Sequence, residues 1–353
     1  MSEQAYKRLI SGQQQGLLAT MARGLLWLMS KPYGVLMWVR NLAFDHGWKT
    51  IHRVDVPVVA IGNQTTGGTG KTPIVAEIVR ILAEQGHRPG IISRGYGADN
   101  TGTNDEKRVL DRLCPGVPHV QNPDRILAAK QLIKEHQVSV IVLDDAFQHR
   151  RIHRDLNILL IDATNPFGHN HLLPRGLLRE PVSSVNRADL TLITRADQVN
   201  ESVLDDIRAA IHAANTTSDL KIAHVSFLPT GLISSDGVVK SISTVKNQPV
   251  TVLTAIGNPT AFVKTCEQIG ANVATECFFA DHHHYSPEEL AYVVQQTEAA
   301  GNAMILTTLK DLVKIPPKYS TICAVQIAAT IESSADAGFL SDELRRVTKM
   351  QQT

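Results

Sequence analysis

A glycine-rich stretch that ends in a lysine and a threonine is the part of the sequence best suited to phosphate chemistry. Glycines allow successive backbone N–H groups to converge on an anion, and a helix that begins there adds its positive dipole end. Lys71 is placed to reach the β- and γ-phosphates of a nucleotide, and the Thr72 hydroxyl is placed to ligate Mg²⁺. The residues predicted to bind the nucleotide are Gly67, Gly68, Thr69, Gly70, Lys71 and Thr72.

The segments on either side of this stretch have the character that a phosphate-binding loop requires. Residues 56–61 form an apolar run that indicates a buried parallel strand, and residues 74–82 repeat apolar side chains at helical spacing. Thr65 stands where the usual G-x-x-x-x-G-K-[ST] pattern has its first glycine. A glycine-rich turn without a ligand is the structural alternative. The order strand, turn and helix favours a nucleoside triphosphate site.

Paired aspartates provide candidate magnesium ligands. Asp144 and Asp145 directly follow an apolar run at residues 138–143, which predicts another buried strand. Carboxylates at a strand end downstream of a phosphate loop hold Mg²⁺ directly or through water. Paired aspartates also occur as turn formers. The upstream loop favours the metal role and leaves open how the two carboxylates divide direct and water-mediated ligation.

Three further polar groups are ambiguous from their residue types. Arg179 and Glu180 lie in a loop between predicted strands, where such a pair is typical of a surface ion pair. Asp105 and Glu106 follow a polar segment, as at a solvated helix start. An aspartate and three consecutive histidines at residues 281–284 suggest metal, but consecutive side chains cannot all face one ion. A surface cap of the next helix is the alternative.

Strands and helices alternate along the chain, which predicts an α/β fold with a P-loop NTPase-type parallel sheet flanked by helices. A second, smaller α/β domain follows a predicted hinge near residue 225. The predicted organisation is an N-terminal amphipathic segment, a P-loop domain and the smaller domain, at residues 1–50, 51–225 and 226–353. The last residues predict a peripheral helix with a frayed tail, which can pack back on the P-loop domain.

Composition excludes some classes of protein. At 353 residues the chain is long for one core and sufficient for two domains, and its formal net charge of +1 provides no broad basic field. Nucleic acid is therefore not an implied partner. The cysteines form no C-x-x-C pair, which argues against zinc and disulfides and fits a reducing compartment. We expect buried, inert thiols at Cys114, Cys266, Cys277 and Cys323.

The N-terminal segment combines apolar, aromatic and cationic residues. Residues 25–29 and 35–39 are apolar, but Lys31 and Arg40 keep them below the roughly 20 apolar residues of a membrane-spanning helix. No small-residue cleavage site follows a single apolar core, so a signal peptide is not predicted either. We expect an amphipathic helix, split at Pro32, that lies in a bilayer interface, packs on the domain, or does both with different faces.

Several motifs occur in an order that resembles the tetraacyldisaccharide 4′-kinase family, the lipid A kinases of Gram-negative bacteria. The resemblance spans roughly residues 20 to 315, and Thr65 agrees with this family's loop. The motifs are Gly62-Asn63 with the loop at 67–73, Ser93-Arg94-Gly95-Tyr96-Gly97, Asp144-Asp145-x-Phe147-Gln148-His149, Leu173-Pro174-x-Gly176 with Arg179-Glu180, Asp281-His282-His283 with Tyr285, and Thr307-Thr308-x-Lys310-Asp311. Asn104, Ala146 and Leu309 depart from the Gly, Gly and Glu usual in the family.

The resemblance implies an ATP-dependent lipid kinase that phosphorylates the 4′-hydroxyl of a tetraacyldisaccharide 1-phosphate, with ATP and Mg²⁺ as cofactors. It implies Asp105 as the base and His282 as the residue that orients it, brought together from two domains by closure. Lys71, Mg²⁺ and Arg179 would meet the charge on the transferred phosphoryl group. The implied metal-organising residues are Thr72, Asp144, Asp145 and Glu180. A lipid acceptor also implies peripheral attachment to the cytoplasmic face of the inner membrane through the N-terminal helix.

Two other classes of protein share a phosphate loop. A P-loop switch or partner-remodelling ATPase carries a signature lysine where this chain has Thr66, which counts against that class. A non-catalytic nucleotide-binding membrane module would not need Asp105, the Arg179–Glu180 pair and His282. Their presence therefore counts against that class. An ATPase assay separates the classes, because a switch responds to protein partners and a lipid kinase to an acylated sugar.

Overall fold

The computed structural model describes residues 3–95, 103–215, 220–257, 259–280 and 283–349 of the chain. The chain divides into two compact units. Unit 1 comprises Met1–Gly95, Cys114–Ser226 and Thr330–Thr353, and unit 2 comprises Tyr96–Leu113 and Phe227–Ala329. The segment Tyr96–Leu113 groups with unit 2, whereas the sequence placed it in the P-loop domain. The predicted domain boundaries remain predictions, because a division into compact units does not show that each unit folds on its own.

Helices and strands alternate along most of the chain, as a parallel sheet with helical crossovers requires. The elements up to residue 214 are α1 (Glu3–Ile10), α2 (Leu17–Asp45), β1 (Val58–Asn63), α3 (Lys71–Glu84), β2 (Pro89–Ser93), α4 (Asp105–Leu113), β3 (His119–Gln121), α5 (Arg125–His136), β4 (Val140–Leu143), β5 (Leu156–Asp162), β6 (Leu190–Thr194) and α6 (Glu201–Ala214). Those that follow are β7 (Lys221–Ser234), β8 (Val239–Lys240), β9 (Pro249–Thr254), α7 (Pro259–Gln268), β10 (Asn272–Phe278), α8 (Pro287–Ala299), β11 (Met304–Thr308), α9 (Leu309–Leu312), β12 (Ile322–Ile331) and α10 (Ser334–Lys349).

Unit 1 is built on a parallel sheet in the strand order β6-β5-β1-β4-β2-β3, and the first residues of β7 pair with β6. Every residue of β1 and of β4 is buried, which explains the apolar side chains at residues 58–61 and 140–143. Ala60 of β1 lies opposite Leu143 of β4 and Asn157 of β5. The carboxyl ends of β1 and β4 are therefore neighbours, and the loops that follow them meet. The predicted α/β class is confirmed.

Unit 2 contains a smaller parallel arrangement of strands in the order β10-β9-β11-β12. Its core joins strand residues such as Val252 and Leu306 to Phe262 of α7. A capping box starts α8, because the Ser286 hydroxyl accepts from the Glu289 N–H and the Glu289 carboxylate accepts from the Ser286 N–H. The helix therefore begins at Pro287, directly after its cap.

Helix α2 continues through its proline. Pro32 has no N–H to donate within the helix, and the sequence therefore predicts a split. The following half is anchored in unit 1, where the Tyr33 hydroxyl donates to the Arg179 carbonyl at 2.8 Å and Arg150 donates to the Asn41 carbonyl at 3.2 Å. These tertiary contacts hold one helix of 29 residues, so the predicted split is wrong. No helix in the described ranges has both the length and the apolar content needed to cross a bilayer.

Candidate active site

Two glycines with left-handed backbone conformation shape the loop between β1 and α3. Gly67 has a φ of 117° and Gly70 a φ of 80°, values that residues with a side chain rarely adopt. Helix α3 begins at Lys71, directly after Gly70. The first N–H groups of the helix are therefore available at the loop, as an anion site requires. The structure thus places the predicted nucleotide-binding residues 67–72 at one loop-to-helix junction.

The end of β1 and the turn after β4 approach each other closely at Gly62. A Cβ atom at this position would lie 2.5 Å from the backbone nitrogen of Phe147. The Ala146 N–H donates to the Ile61 carbonyl at 2.9 Å, and Asp145 immediately before it has a φ of 47°. Close backbone packing therefore directs the Asp145 carboxylate toward the phosphate loop.

Lys71, Asp145 and Arg179 converge around Asn63, the last residue of β1. The Lys71 ammonium lies 3.3 Å from Asn63 Oδ1 and 3.6 Å from Asp145 Oδ1. The Arg179 guanidinium donates to both Asp145 oxygens, at 3.1 and 3.0 Å, and to the Asn63 carbonyl at 2.8 Å. Two cations thus lie beside the glycine loop, where they face one carboxylate. Their positive charge suits the negative charge of a nucleotide polyphosphate.

These cations keep Asp145 ionised. Burial raises the pKa of its carboxyl, but the charge of Lys71 and the hydrogen bond and charge of Arg179 outweigh burial and lower the pKa to about 2. The side chain is therefore an anion at neutral pH. An ionised carboxylate of this kind suits a Mg²⁺ ligand.

Backbone hydrogen bonds join the phosphate loop to the segment that carries Arg179. The Thr66 N–H donates to the Leu177 carbonyl at 2.8 Å, and the Arg179 N–H donates to the Gln64 carbonyl at 2.7 Å. Both hydrogen bonds join backbone groups, so the backbone at Arg179 is held in a fixed position relative to the glycine loop. The arginine is therefore part of the site and not the surface ion pair that its residue type alone suggests.

Glu180, the neighbour of Arg179, lies between two arginines. Its side chain is fully buried, its Oε1 accepts from Arg40 at 3.2 Å, and its Oε2 accepts from Arg187. A carboxylate removed from water requires such partners, because an unpaired buried charge is strongly destabilising. Both oxygens are thus bonded to arginines in this structure, and the metal role of Glu180 remains a prediction.

The other predicted metal residues carry oxygen donors of the kind that Mg²⁺ prefers. Asp144 and Asp145 follow β4 directly, and Thr72 is the second residue of α3. Among the residues described, no group of three or more His, Cys, Asp or Glu side chains could hold a metal ion. Mg²⁺ in phosphoryl-transfer enzymes is bound through one or two carboxylates together with substrate phosphates and water. A sparse set of protein oxygens therefore fits a Mg²⁺–nucleotide site.

Two residues that sequence reasoning did not assign contribute to the loop. Asn63 accepts from both Lys71 and Arg179 through its side chain. Arg195 donates to the Gly68 carbonyl at 2.8 Å and pairs with Asp162. Both Asn63 and Arg195 lie at the carboxyl ends of parallel strands, where ligands bind in open α/β sheets. That position is the signal by which the sequence could have identified them.

A cationic cavity of about 470 Å³ lies beside the Arg40–Glu180 pair. Its lining residues are Arg40, Phe44, Lys49, Thr50, His52, His149, Arg150 and Arg151. Burial, followed by the charges of Arg125 and Arg151, lowers the pKa of His149 to about 4. The imidazole is therefore neutral at pH 7, and the cationic side chains of the cavity lining are its arginines and Lys49. Such a cavity favours an anionic group.

Stability is expected to fall at mildly acidic pH because of His149. Its pKa of about 4 in the folded protein lies below the ordinary 6.5, so between these values the unfolded chain binds a proton that the folded chain does not. The free energy of unfolding thus decreases as the pH falls from 6.5 toward 4. At about 1.4 kcal/mol per pKa unit, the contribution is at most about 3 kcal/mol.

Urea denaturation at pH 7.5 and pH 5 measures this loss. The His149→Gln variant should lose less stability between the two pH values than the wild type. His136→Gln, on α5, is the matched control and should behave as the wild type. Equal losses in wild type and His149→Gln would contradict the expectation.

Asp105, the predicted base, is the first residue of α4 in unit 2. Val109 and Leu110 of the same helix are buried, and α4 packs on α9. Asp281 and His282 lie outside the described residues. The range Phe227–Ala329 also belongs to unit 2, so Asp105 and the histidine segment share one unit. This division differs from the expectation that Asp105 and His282 come from two domains.

The described part of the histidine run has its own packing. The His283 ring stacks on Phe279 with centroids 4.8 Å apart, and its Nε2 lies 2.9 Å from Glu289 Oε2. Glu289 also caps α8, so His283 belongs to the start of that helix. This arrangement favours the capping interpretation for His283.

A glycine loop at the carboxyl edge of a parallel sheet, with a lysine and an arginine facing an aspartate, defines a P-loop phosphotransferase type of site. The family model described as LpxK, tetraacyldisaccharide-1-P 4′-kinase, matches residues 22–345. The chain belongs to this family, as its motifs predicted.

Named relatives and a solved structure agree with this assignment. The tetraacyldisaccharide 4′-kinase of Anaeromyxobacter dehalogenans (strain 2CP-C) is 35% identical over 324 residues, which cover 86% of this chain and 84% of the relative. The enzyme of that name from Elusimicrobium minutum is 36% identical over 319 residues, 85% of this chain and 84% of the relative. LpxK from Aquifex aeolicus, in a crystal structure with ATP, is 27% identical with a TM-score of 0.77 and covers 93% of this chain and 99% of that one.

Family membership confirms the predicted kinase class and the predicted fold. The predicted use of ATP agrees with the ATP bound in the Aquifex aeolicus structure. The relatives carry a kinase name and not that of a switch ATPase, which disfavours the alternative of a P-loop switch.

Proposed function

We propose that this chain transfers the γ-phosphoryl group of ATP to the 4′-hydroxyl of a tetraacyldisaccharide 1-phosphate. The observation that carries the proposal is the convergence of Lys71 and Arg179 on Asp145 beside the glycine loop, in a chain of this kinase family. In the reaction, the acceptor oxygen forms a bond to the γ-phosphorus while the bond to the β-phosphate oxygen breaks. The groups around the loop then have distinct tasks.

The loop and its cations bind and orient the nucleotide. Backbone N–H groups at the start of α3 face the phosphates, and Lys71 leaves Asn63 and Asp145 to contact the β- and γ-phosphates. Arg179 neutralises charge on the transferred group, because its guanidinium already lies at the same carboxylate as Lys71. Both cations lie beside the glycine loop, which suits them to the phosphates of a bound nucleotide.

Thr72, Asp144 and Asp145 would hold the magnesium ion, with Glu180 as a further member of the predicted set. When bound, Mg²⁺ supplies charge neutralisation at the β- and γ-phosphate oxygens. The low pKa of Asp145, about 2, keeps its carboxylate available at neutral pH. Glu180 holds Arg187 and Arg40 and in this way supports the loop beside Arg179.

Asp105 is the proposed base. A sugar hydroxyl has a pKa far above neutrality, so a carboxylate must take its proton as the new P–O bond forms. The proton moves from the acceptor oxygen to the Asp105 carboxylate, and His282 is proposed to orient that carboxylate. Asp105 is 13% exposed, which permits access to a ligand while limiting competing water.

The anionic acceptor has a matching surface. Its 1-phosphate requires cations, and the cavity lined by Arg40, Lys49 and Arg151 is suited to a phosphate. Arg40 also bonds Glu180, the neighbour of Arg179. The cavity and the segment that carries Arg179 are thus connected within unit 1 through the Arg40–Glu180 pair.

The exposed apolar face of α2 supports attachment to a membrane surface. Apolar side chains recur at intervals of three and four residues and remain exposed, for example Leu18 at 82% and Leu36 at 63%. The exposed set includes Leu18, Met21, Leu25, Leu28, Val35, Leu36 and Val39. An apolar face of this length on one helix is typical of an interfacial segment. We propose peripheral attachment to the cytoplasmic face of the inner membrane, where the lipid acceptor lies.

Three substitutions on this face should release the protein from lipid vesicles. In the variant Leu25→Ser/Leu28→Ser/Leu36→Ser, the fraction that floats with anionic vesicles should fall at least about tenfold, because each buried leucine contributes about 1.5–3 kcal/mol. These positions avoid Tyr33 and Arg40, whose contacts reach the site. Leu127→Ser, on α5 and 58% exposed, is the matched control. Unchanged flotation of the triple variant would remove the basis for attachment through α2.

The proposed reaction is tested with purified protein, γ-labelled ATP, Mg²⁺ and a tetraacyldisaccharide 1-phosphate in detergent micelles. Label should appear in the lipid, and phosphorus NMR should locate it at the 4′-oxygen. ATP hydrolysis without labelled lipid would instead support the P-loop switch class. A purified protein that binds ATP but neither hydrolyses it nor labels lipid would support the non-catalytic nucleotide-binding module.

A further inference from the structure

Unit 2 contains a buried lysine that contacts the proposed base. The Lys314 side chain is 2% exposed, and its Nζ lies 3.3 Å from Asp105 Oδ2. A lysine is rarely buried unless acidic partners surround it. Two further oxygens lie near Nζ: it donates to the His283 carbonyl at 3.2 Å, and it forms an ion pair with Asp311 Oδ1 at 3.7 Å. The ammonium group is therefore surrounded by oxygens from three separate parts of unit 2.

Hydrogen bonds hold Asp311, the second carboxylate beside this lysine, in place. Its carboxylate is fully buried, and its Oδ2 accepts from the Thr254 hydroxyl at 3.0 Å, from the Thr308 hydroxyl at 2.8 Å and from the Ala255 N–H at 3.2 Å. Thr254 and Thr308 end the paired strands β9 and β11. Asp311 is thus held by the sheet of unit 2, and its charge is balanced by Lys314.

We propose that Lys314 is a positioning residue for Asp105, which connects the catalytic carboxylate to the sheet of unit 2 through Asp311. This inference rests on the proposed function and deepens it. The contact at Oδ2 restrains rotation of the Asp105 carboxylate, and a base must present its oxygen in a defined direction to the acceptor hydroxyl. Lys314 also links the start of α4 to the carbonyl of His283, the residue next to His282.

Lys314 forms ion pairs with two carboxylates at once. Its Nζ lies near Asp105 Oδ2 and near Asp311 Oδ1. Because Asp311 is fully buried and bonded to Thr254 and Thr308, Lys314 connects the Asp105 carboxylate to a fixed group of the sheet.

Lys314→Ala separates this role from a packing role. The kcat for lipid phosphorylation should fall about 10²-fold, whereas the KM for ATP should stay within about twofold, since the lysine contacts Asp105 and is not one of the predicted nucleotide-binding residues. The truncation leaves space for a short amine. Added n-propylammonium should restore at least about a tenth of kcat, and n-propanol, which has similar volume but no charge, should not.

Lys318→Ala is the matched control, because Lys318 lies in the same segment and is exposed. It should retain wild-type kcat. Lys314→Met, which keeps the length of the side chain and removes only the charge, is the second variant and should also lose about 10²-fold in kcat. Circular dichroism and the KM for ATP report whether each variant is folded.

The outcomes distinguish this inference from the proposed function. A wild-type protein that does not label lipid contradicts the proposed function itself. An active wild type with unchanged kcat in Lys314→Ala, or rescue by n-propanol equal to that by n-propylammonium, overturns only the positioning role. If neither Lys314→Ala nor Lys314→Met folds, the lysine serves the fold and the positioning role is dropped.

Discussion

Replacing Lys71 with methionine is expected to lower kcat about 10³-fold and to weaken ATP binding. The ammonium group belongs to the first residue of α3, directly after the glycine loop, and lies 3.6 Å from Asp145 Oδ1, and its flexible stem lets it follow the γ-phosphoryl as it moves. Methionine keeps most of the length and apolar character of the side chain. Steady-state lipid phosphorylation and calorimetric titration with ATP measure the two effects.

The fold should survive this substitution, because Arg179 still pairs with Asp145 when Lys71 is absent. Arg80→Met is the matched control on the same helix, where Arg80 forms exposed ion pairs with Glu77 and Glu84. Its kcat should equal that of the wild type, since exposed ion pairs contribute little. A Lys71→Met protein that retains a tenth or more of wild-type kcat would show that the loop does not act on the transferred phosphoryl group.

Replacing Asp105 with asparagine is expected to lower kcat for lipid phosphorylation about 10³-fold, within the range for loss of a general base. Asparagine has nearly the same shape and can still accept from Lys314. It cannot take the proton of the acceptor hydroxyl. ATP affinity should be unchanged, because Asp105 is proposed to act on the acceptor hydroxyl and is not one of the predicted nucleotide-binding residues. Single-turnover transfer of labelled phosphate measures the chemical step directly.

Glu106→Gln provides the comparison for Asp105→Asn. Glu106 is the next residue of the same helix turn and is exposed. Glu106→Gln removes one negative charge from the first turn of α4, as Asp105→Asn does. Both variants therefore change the interaction with the helix dipole by a similar amount. Equal kcat values for the two variants would assign the effect of Asp105 to the helix and not to proton transfer.

The features that were predicted correctly depend on residues close together in sequence. Helix α3 (Lys71–Glu84) covers the predicted helical residues 74–82, and β4 (Val140–Leu143) lies within the predicted apolar run at residues 138–143. Strand β3 was not predicted, because three residues provide no periodic pattern. The split at Pro32 was wrong, because contacts of Tyr33 and Arg150 maintain the helix where local geometry disfavours it.

The role of Arg179 shows where sequence reasoning reaches its limit. From its residue type it reads as a surface cation, and only the family resemblance indicated a place near the nucleotide. The fold brings it to Asp145, which is 34 residues away in sequence, through backbone hydrogen bonds to Gln64. Its neighbour Glu180 lies between Arg40 and Arg187, contacts that its residue type did not indicate, and its predicted place at a metal ion stays a prediction.

The sequence by itself determined the glycine loop, the strand before it, the helix after it and the family to which the chain belongs. These features follow from backbone freedom, hydrophobic period and local motifs, which act over a few residues. Only the tertiary structure decided which charges meet: Asp145 with Lys71 and Arg179 in unit 1, and Asp105 with Lys314 in unit 2. Ion pairing depends on distance in space and on burial, and both are set by how strands order within a sheet.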